Sequence, residues 1–592
     1  MIKAIRNHWP LIIGLIVLWG TIAFLMVSSV KQNQGHLIYT LDDPYIHMAI
    51  AKNFAEHGVW GVTKYSFTSS SSSLIWTIIL SSAYFLFGVN NYSPFILNLL
   101  LGSVSVFMFY SILKKYILSP VTIMLVLFSF IYITPIPYLM FTGQEHILHV
   151  LISLLIVYFS VVFLTRQKMV ISENIILLLL AMMLTMTRFE GLFMLFIIVI
   201  LFAIRKRFLY SLLLGFCGAL PILIYAVISV SKGWYLLPNS VLLKGNLTTI
   251  SFDNLLGYRQ MIVSPYILML LIGALSLYVL QSRKQTEFWV ISRIINLIFI
   301  ATTILHIQFA RLSLRYDAYL VALGILSISV LLMEFLKEKE AFKFNKKHFP
   351  DYLAVIFLAF LFLYPCINRA VSSLNSITKS SKNIYEQQYQ MGLFVREFYL
   401  NEGVALNDIG AVNYLAEINC LDLWGLSNRD VAQSRLAEVL SEVSIFDKLP
   451  FLKALVGAGI FADEGYNKNR IYKLAAQKNV KIALVYDDWY DEYGGLPEQW
   501  VKVGEWAIRD NIATGGDYVS LYAIDSSEVS ELIQNLKIFS PRLPKAVIQS
   551  GEYTGTGVDV SRDAFDTETN SVKEEDDIRS KRRAARSRRG FN

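Results

Sequence analysis

Apolar runs of about 20 residues, long enough for a helix to cross a bilayer core of roughly 30 Å, recur from the N-terminus to about residue 367. They fall at 9–27, 93–113, 120–140, 145–165, 174–187, 191–204, 208–230, 264–281, 288–306, 315–336 and 352–367. So many cannot be hidden in one water-soluble core, where helices carry an apolar stripe and a polar face. With 55% hydrophobic residues, 17% charged residues and a mean hydropathy of +0.49, the chain reads as a polytopic α-helical membrane protein. The expected number of transmembrane helices is about 11–13.

Basic residues set the direction of the spans. Lys3 and Arg6 precede the first run, which is too long and too poor in a small-residue cleavage site for a signal peptide, and so is expected to be a retained anchor. Lys114-Lys115, Arg166–Lys168, Arg205–Arg207, Arg283-Lys284 and 337–347 then recur at alternate loops. If these are cytoplasmic, the remaining loops are outside. One apolar segment, 74–87, breaks the alternation if it crosses alone. Parity therefore predicts that it dips in and returns, or pairs with a further span.

Beyond about residue 367 the charge rises and no spanning run follows. Strand-like runs at 481–486 and 518–524 and a helical stretch at 432–442 predict a soluble α/β domain. The domain reading is a transmembrane catalytic domain at 1–367 with its first outer loop at 31–73, an extracytoplasmic α/β domain at 368–550, and a disordered basic tail at 551–592. Seven Lys/Arg and no acids lie between Arg579 and Asn592, so most of the net charge of +8 is there. A tail on the outer side has no nucleic acid to meet and reads as solvated chain near lipid head groups. Three cysteines make no disulfide framework. The chain carries neither a P-loop nor a dinucleotide-binding loop, so nothing in it is built for a nucleotide-activated substrate.

The polar residues that stand out fall in the outer loops. Asp42-Asp43-Pro44 opens an expected amphipathic helix at the membrane surface, followed within it by His47. An Asp-Pro pair is ordinary at a helix start, so one acid reads equally as a cap. Two ionised groups beside a bilayer also suit chemistry, with His47 orienting an acid or joining a metal site. The serine run 69–73 could hydrogen-bond a sugar or phosphate, though it reads first as a flexible polar connector. Glu145 and Glu190 open predicted helices, Arg188 stands beside Glu190, and Arg311 and Arg315 are spaced to share one helical face. These groups gather at helix ends, whereas a flippase or transporter would place them along a path at the bilayer midplane. That transport reading is the alternative.

Taken in order, these motifs resemble those of the GT-C glycosyltransferases, nearest to the branch containing the mycobacterial terminal arabinofuranosyltransferase. Asp42-Asp43-Pro44-Tyr45-Ile46, with Ala51-Lys52-Asn53-Phe54-Ala55 and the serines leading to Trp76, resembles that family's first outer loop. Thr142-Gly143-Gln144-Glu145 is similar to its Gly-x-Glu element. Thr187-Arg188-Phe189-Glu190-Gly191 is similar to its Thr-Arg-Pro-Glu-Gly, with Phe in place of Pro. Leu237-Pro238-Asn239-Ser240 followed by Lys244 resembles a further loop, and Asn407-Asp408-Ile409-Gly410-Ala411 with Asp422-Leu423-Trp424-Gly425 resembles its soluble domain.

The resemblance implies a GT-C fold and a polyprenyl-phosphate-linked sugar donor, arabinofuranose on the nearest likeness. It implies a glycan or glycoprotein acceptor outside an inner membrane, in a protein that spans the bilayer many times and binds no nucleic acid. Its pattern makes Asp42 the base and Asp43 the runner-up or a metal or sugar ligand. Arg311, Arg315 and Lys244 are expected on the lipid phosphate. Glu145, Arg188, Glu190, Asn239 and His47 complete the substrate site, and Asp408 and Trp424 serve the acceptor domain. One carboxylate base with one direct displacement implies inversion. A divalent cation, Mg or Mn, is the one cofactor the chemistry leaves room for.

Overall fold

The computed structural model describes residues 2–117, 119–166, 171–244, 264–282, 290–337, 349–442 and 465–557. The chain divides into two compact units. The first comprises 1–382 and 425–465, and the second comprises 383–424 and 466–592.

The first unit is helical. In chain order its helices are α1 (Ile2–Gln32), α2 (Asp43–His57), α3 (Leu74–Phe87), α4 (Ser93–Tyr116), α5 (Pro120–Ile133), α6 (Ile136–Phe141), α7 (His146–Thr165), α8 (Ile171–Thr187), α9 (Gly191–Ile204), α10 (Phe208–Ser231), α11 (Asn239–Lys244), α12 (Pro265–Ser282), α13 (Ile291–Phe309), α14 (Ala318–Lys337) and α15 (Phe349–Ile384). Among the described residues, six helical stretches are long and apolar enough to cross a membrane: His8–Gln32, Ser93–Tyr116, Pro120–Phe141, His146–Thr165, Phe208–Ser231 and Ile291–Phe309. Five shorter apolar helices accompany them. Large side chains on the outside, such as Phe24, Leu212 and Val227 at 72, 72 and 71% exposed, would be costly in water and are matched by lipid. This is a multi-pass membrane protein. Inside, close packing joins the helices: Phe109 of α4 stacks on Phe130 of α5 with ring centroids 4.1 Å apart.

Two local expectations are corrected. The first two turns of α2, Pro44 to Ala51, are buried on every side, and only the last turn reaches the surface; a surface amphipathic helix would bury one stripe. Segment 74–87 is one uninterrupted helix with no return inside it. At 1.5 Å per residue α3 spans about 21 Å, short of the bilayer core. Each of its ends is bonded to a residue of segment 31–73. Thr77, in its first turn, bonds His47, and just past its last turn the Asn91 carbonyl accepts from the Tyr39 hydroxyl at 2.6 Å.

The second unit is built on a six-stranded sheet of order β2-β1-β3-β5-β4-β6. Its strands are β1 (Gly403–Leu406), β2 (Asn419–Asp422), β3 (Val480–Val485), β4 (Val501–Ala507), β5 (Tyr518–Ala523) and β6 (Ile548–Gly551). β1 pairs in parallel with β2 and β3, and the remaining pairings are antiparallel. The expected strands at 481–486 and 518–524 are β3 and β5. The expected helix at 432–442 lies in Arg429–Glu442, which belongs to the first unit. There Ala432 and Leu436 pack on Tyr235 and Leu242. Helix Val529–Phe539 covers the sheet, and Phe539 stacks on the buried Trp506. Residues 558–592, where the basic tail is expected, lie outside the described residues.

Candidate active site

Three carboxylates in the first unit stand at helix starts, where negative charge meets the positive end of the helix dipole. Asp43 begins α2, Glu145 precedes α7 and Glu190 precedes α9, and none of the helices is capped by an acidic side chain. The acids are turned to arginines. Arg188 donates from Nη1 to Glu145 Oε1 at 2.6 Å and forks onto Glu190 from Nη2 at 2.7 Å and Nε at 3.1 Å. Arg315 donates from Nη2 to Asp43 Oδ2 and from Nη1 to Gln144 Oε1, each at 2.6 Å. Between the guanidinium groups lies one phenol ring: Tyr316 has Arg188 4.6 Å and Arg315 4.8 Å from its centroid. Two charge networks thus share one aromatic wall.

Burial alone would raise the Glu190 carboxyl, but the Arg188 guanidinium outweighs it and holds the group down at about 2. Burial likewise works against the Arg188 charge, and Glu190 and Glu145 more than restore it.

These groups border a cavity of ≈ 290 Å³. Asp43, His47, Ser70, Ser72, Gln144, Arg188, Glu190, Arg311 and Tyr316 supply its polar wall. Phe189, Leu192, Phe193, Ile222, Leu237, Val241 and Phe309 supply its apolar one. His47 shares a hydrogen bond with Thr77 Oγ1 at 3.0 Å, and its Nε2 is 3.8 Å from Glu145 Oε2. The serine run is no flexible connector. Ser69, Ser70, Ser71 and Ser73 are buried, the Ser70 hydroxyl donates to the Leu426 carbonyl at 2.8 Å, and Ser69 bonds the Tyr225 hydroxyl at 2.8 Å. Gly143, at φ +65°, keeps the turn before Glu145 against Tyr39, where a Cβ would lie 2.6 Å from the ring.

The expected residues separate here. Asp43, His47, Glu145, Arg188, Glu190 and Arg315 come together in the networks, and Arg311 joins them on the cavity wall. Asp42 is half-buried just before α2 and makes no capping hydrogen bond; Asp43, not Asp42, lines the cavity. Arg311 and Arg315 do not share a helical face, because 310–317 is loop and turn between α13 and α14. Arg315 turns to Asp43 and Gln144, while Arg311 is exposed to the cavity. Asn239 is buried and clamps the chain, its Nδ2 donating to the Gly425 carbonyl at 2.7 Å. The side chain of Lys244 lies outside the described residues. Tyr316 and Gln144 are wall residues that sequence reasoning missed, while Ser70 and Ser72 come from the serine run. Gln144 was legible as the neighbour of Glu145, whereas an uncharged aromatic after Arg315 gives no signal.

A divalent cation fits this wall poorly. Asp43 and Glu190 are each neutralised by an arginine. Among the described residues, no three carboxylate or imidazole groups of the cavity come within ligating reach of one another. Glu145 Oε2 is buried without a hydrogen-bond partner, yet one oxygen beside His47 is too few.

In the second unit, Asp408 Oδ2 accepts from the Tyr486 hydroxyl and from Gln388 Nε2, both at 2.8 Å. Trp424 is fixed by a backbone N–H that donates to Asp422 Oδ1 at 2.8 Å.

Residues 382–522 match a family model described as a domain of unknown function, DUF8728. Among curated proteins none matches this chain. Solved structures similar to it include the ArnT of Cupriavidus metallidurans bound to undecaprenyl phosphate. That likeness has a TM-score of 0.48 at 10% identity, over 88% of this chain and 99% of that one. The oligosaccharyltransferase of Archaeoglobus fulgidus in complex with Zn and sulfate gives 0.42 at 12% identity, over 86% and 73%. The same organism's AglB, with an inhibitory peptide and a dolichol-phosphate, gives 0.41 at 11%, over 88% and 75%.

Proposed function

We propose that the protein is an inverting glycosyltransferase that moves a sugar from a polyprenyl-phosphate carrier to a hydroxyl of an extracytoplasmic glycan or glycoprotein. The observation that carries this reading is the cavity wall itself, which sets two carboxylates, Asp43 and Glu190, and one outward guanidinium, Arg311, among apolar side chains at helix ends. Such a wall offers a base, an anion site and a greasy approach for a lipid carrier.

The step balances on these groups. The acceptor hydroxyl gives its proton to the Asp43 carboxylate as its oxygen bonds the anomeric carbon. The bond from that carbon to the phosphate oxygen breaks, and the electron pair leaves with polyprenyl phosphate. The oxocarbenium-like transition state is cationic, so Asp43 stabilises it as well. Phosphate is a weak base and leaves without a general acid, provided positive charge meets it. Arg188 and Arg315 are held by carboxylates, which favours Arg311 as the phosphate anchor, with Lys244 a further candidate. Asp43 is favoured over Asp42 as the base because it lines the cavity. The basic-loop alternation supports an outward-facing site, and the motif resemblance an inner membrane. Arabinofuranose is the sugar proposed first, on the motif resemblance.

The test is sugar transfer by the purified full-length protein from synthetic polyprenyl-phosphate pentofuranoses and hexoses. Transfer from one donor is expected, unchanged by a chelator. Arg311→Gln should raise the donor KM about tenfold or more, since a hydrogen bond to a charged group is worth about 1.5–3 kcal/mol. Carrier movement across vesicles with no transfer from any donor would instead support the transport reading.

A further inference from the structure

The second unit has its own place for a ligand. β1 connects through Gly410–Leu415 to β2 on one side, and the chain then returns to β3 on the other side of β1. In open sheets the crevice outside the carboxyl ends of strands at such a reversal is where ligands bind. The residues that follow the three parallel strands meet there: Asn407 and Asp408 after β1, Trp424 after β2, and Tyr486 and Trp489 after β3.

Two tryptophans form the outer layer. Trp424 and Trp489 are half-buried, with ring centroids 4.7 Å apart and planes 59° from parallel. Beneath them Tyr486 and Tyr490 are 1% exposed. Trp489 is held in place by Nε1 donating to the Gly515 carbonyl at 3.2 Å. Gly515 must lack a side chain, since a Cβ would lie 2.6 Å from both Trp489 and Tyr486. The polar floor is over-built for a fold. The π-helical turn Tyr385–Tyr389, a geometry that recurs at functional sites, aims Gln387 and Gln388 at the Tyr486 hydroxyl, at 2.8 Å each. Gln388 Oε1 is buried with no hydrogen-bond partner.

From this arrangement we infer that the crevice at the carboxyl ends of β1, β2 and β3 binds the ring of a neutral oligosaccharide. Tilted indoles present apolar faces to a sugar's C–H surface, while amides and the Asp408 carboxylate suit its hydroxyls. A carboxylate at the floor opposes a phosphate, and the helix after β1 is too short to hold one. The inference deepens the acceptor side of the proposed transferase reading and rests on it for its biological sense.

The experiment is a binding titration of the full-length protein in nanodiscs with neutral pentofuranose and hexopyranose oligosaccharides, read by isothermal calorimetry and tryptophan fluorescence. One series should bind. Trp489→Ala and Trp424→Ala should each weaken it about tenfold, and Gly515→Ala should weaken it with the indoles still present. Trp489→Phe should retain most of the affinity if stacking is the cause, which separates a lost platform from a lost fold. Binding by none of the oligosaccharides, or binding untouched by both alanine variants, would overturn the inference. Binding is read without turnover, so a failed transfer assay leaves this result standing, and a failed titration leaves the transferase reading standing.

Discussion

Arg188 joins two acidic helix starts into one network, because a guanidinium has donors enough to fork onto Glu190 and still reach Glu145. Removing one partner of such a buried pair costs about 3–5 kcal/mol. The pH dependence has a definite sign. The Glu190 carboxyl is held down at about 2, below its ordinary 4.5, so its contribution is present in full above about pH 4.5 and fades as pH falls towards 2. Glu190→Gln should therefore melt below wild type by a margin that is constant from pH 7 to about 5 and narrows below that. A margin already shrinking between pH 7 and 5.5 would show that Arg188 does not hold the group. At this scale the charged residues were legible, since ionised side chains beside a bilayer need partners. Their pairings were not. Nothing in the spacing of Arg311 and Arg315 reveals that one turns to Asp43 and the other to the cavity, because the backbone between α13 and α14 is not helical. Tyr316 gave no signal, as aromatic residues are ordinary at the membrane boundary.

Among the elements, α3 decides how the topology is counted. Hydropathy reads it as a span, yet at 14 residues it is short of the bilayer core, as α9 also is, and its two ends bond His47 and, through Asn91, Tyr39. Single cysteines at Glu56 and Tyr92, in a protein lacking Cys217, Cys366 and Cys420, should label with an impermeant maleimide from the same side of intact cells. A cysteine at Lys114 should label only after permeabilisation. Opposite labelling of Glu56→Cys and Tyr92→Cys would mean that α3 crosses. Parity of the basic loops left two readings, a dip that returns and a pairing with a further span, and one uninterrupted helix holds no return. The burial of α2 was equally hidden. The polar residues His47 and Asn53 that suggested a wet face are satisfied inside, His47 by Thr77 and Asn53 by donating to the Gly61 and Val62 carbonyls at 2.9 Å.

At the scale of the molecule, the chain pairs a helical membrane unit with a mixed-sheet unit, and each carries a distinct kind of chemistry. The first has charges at helix ends around an apolar-walled cavity; the second has tryptophans over amides at a sheet edge. The class of each unit was legible, from runs of about 20 apolar residues in one and from short strand-like runs beside helical stretches in the other. The division was less so. Residues 425–442 follow strand β2 yet belong to the first unit, where Leu426 joins the cavity wall, and no composition change marks their departure. The central claim is that Asp43 takes the acceptor's proton in that cavity. It is tested most directly by comparing sugar transfer by wild type, Asp43→Asn and Asp42→Asn, each purified to the same melting temperature. The account predicts that Asp43→Asn lowers turnover about 10²–10⁴-fold while Asp42→Asn lowers it far less. Turnover that survives in Asp43→Asn would contradict it.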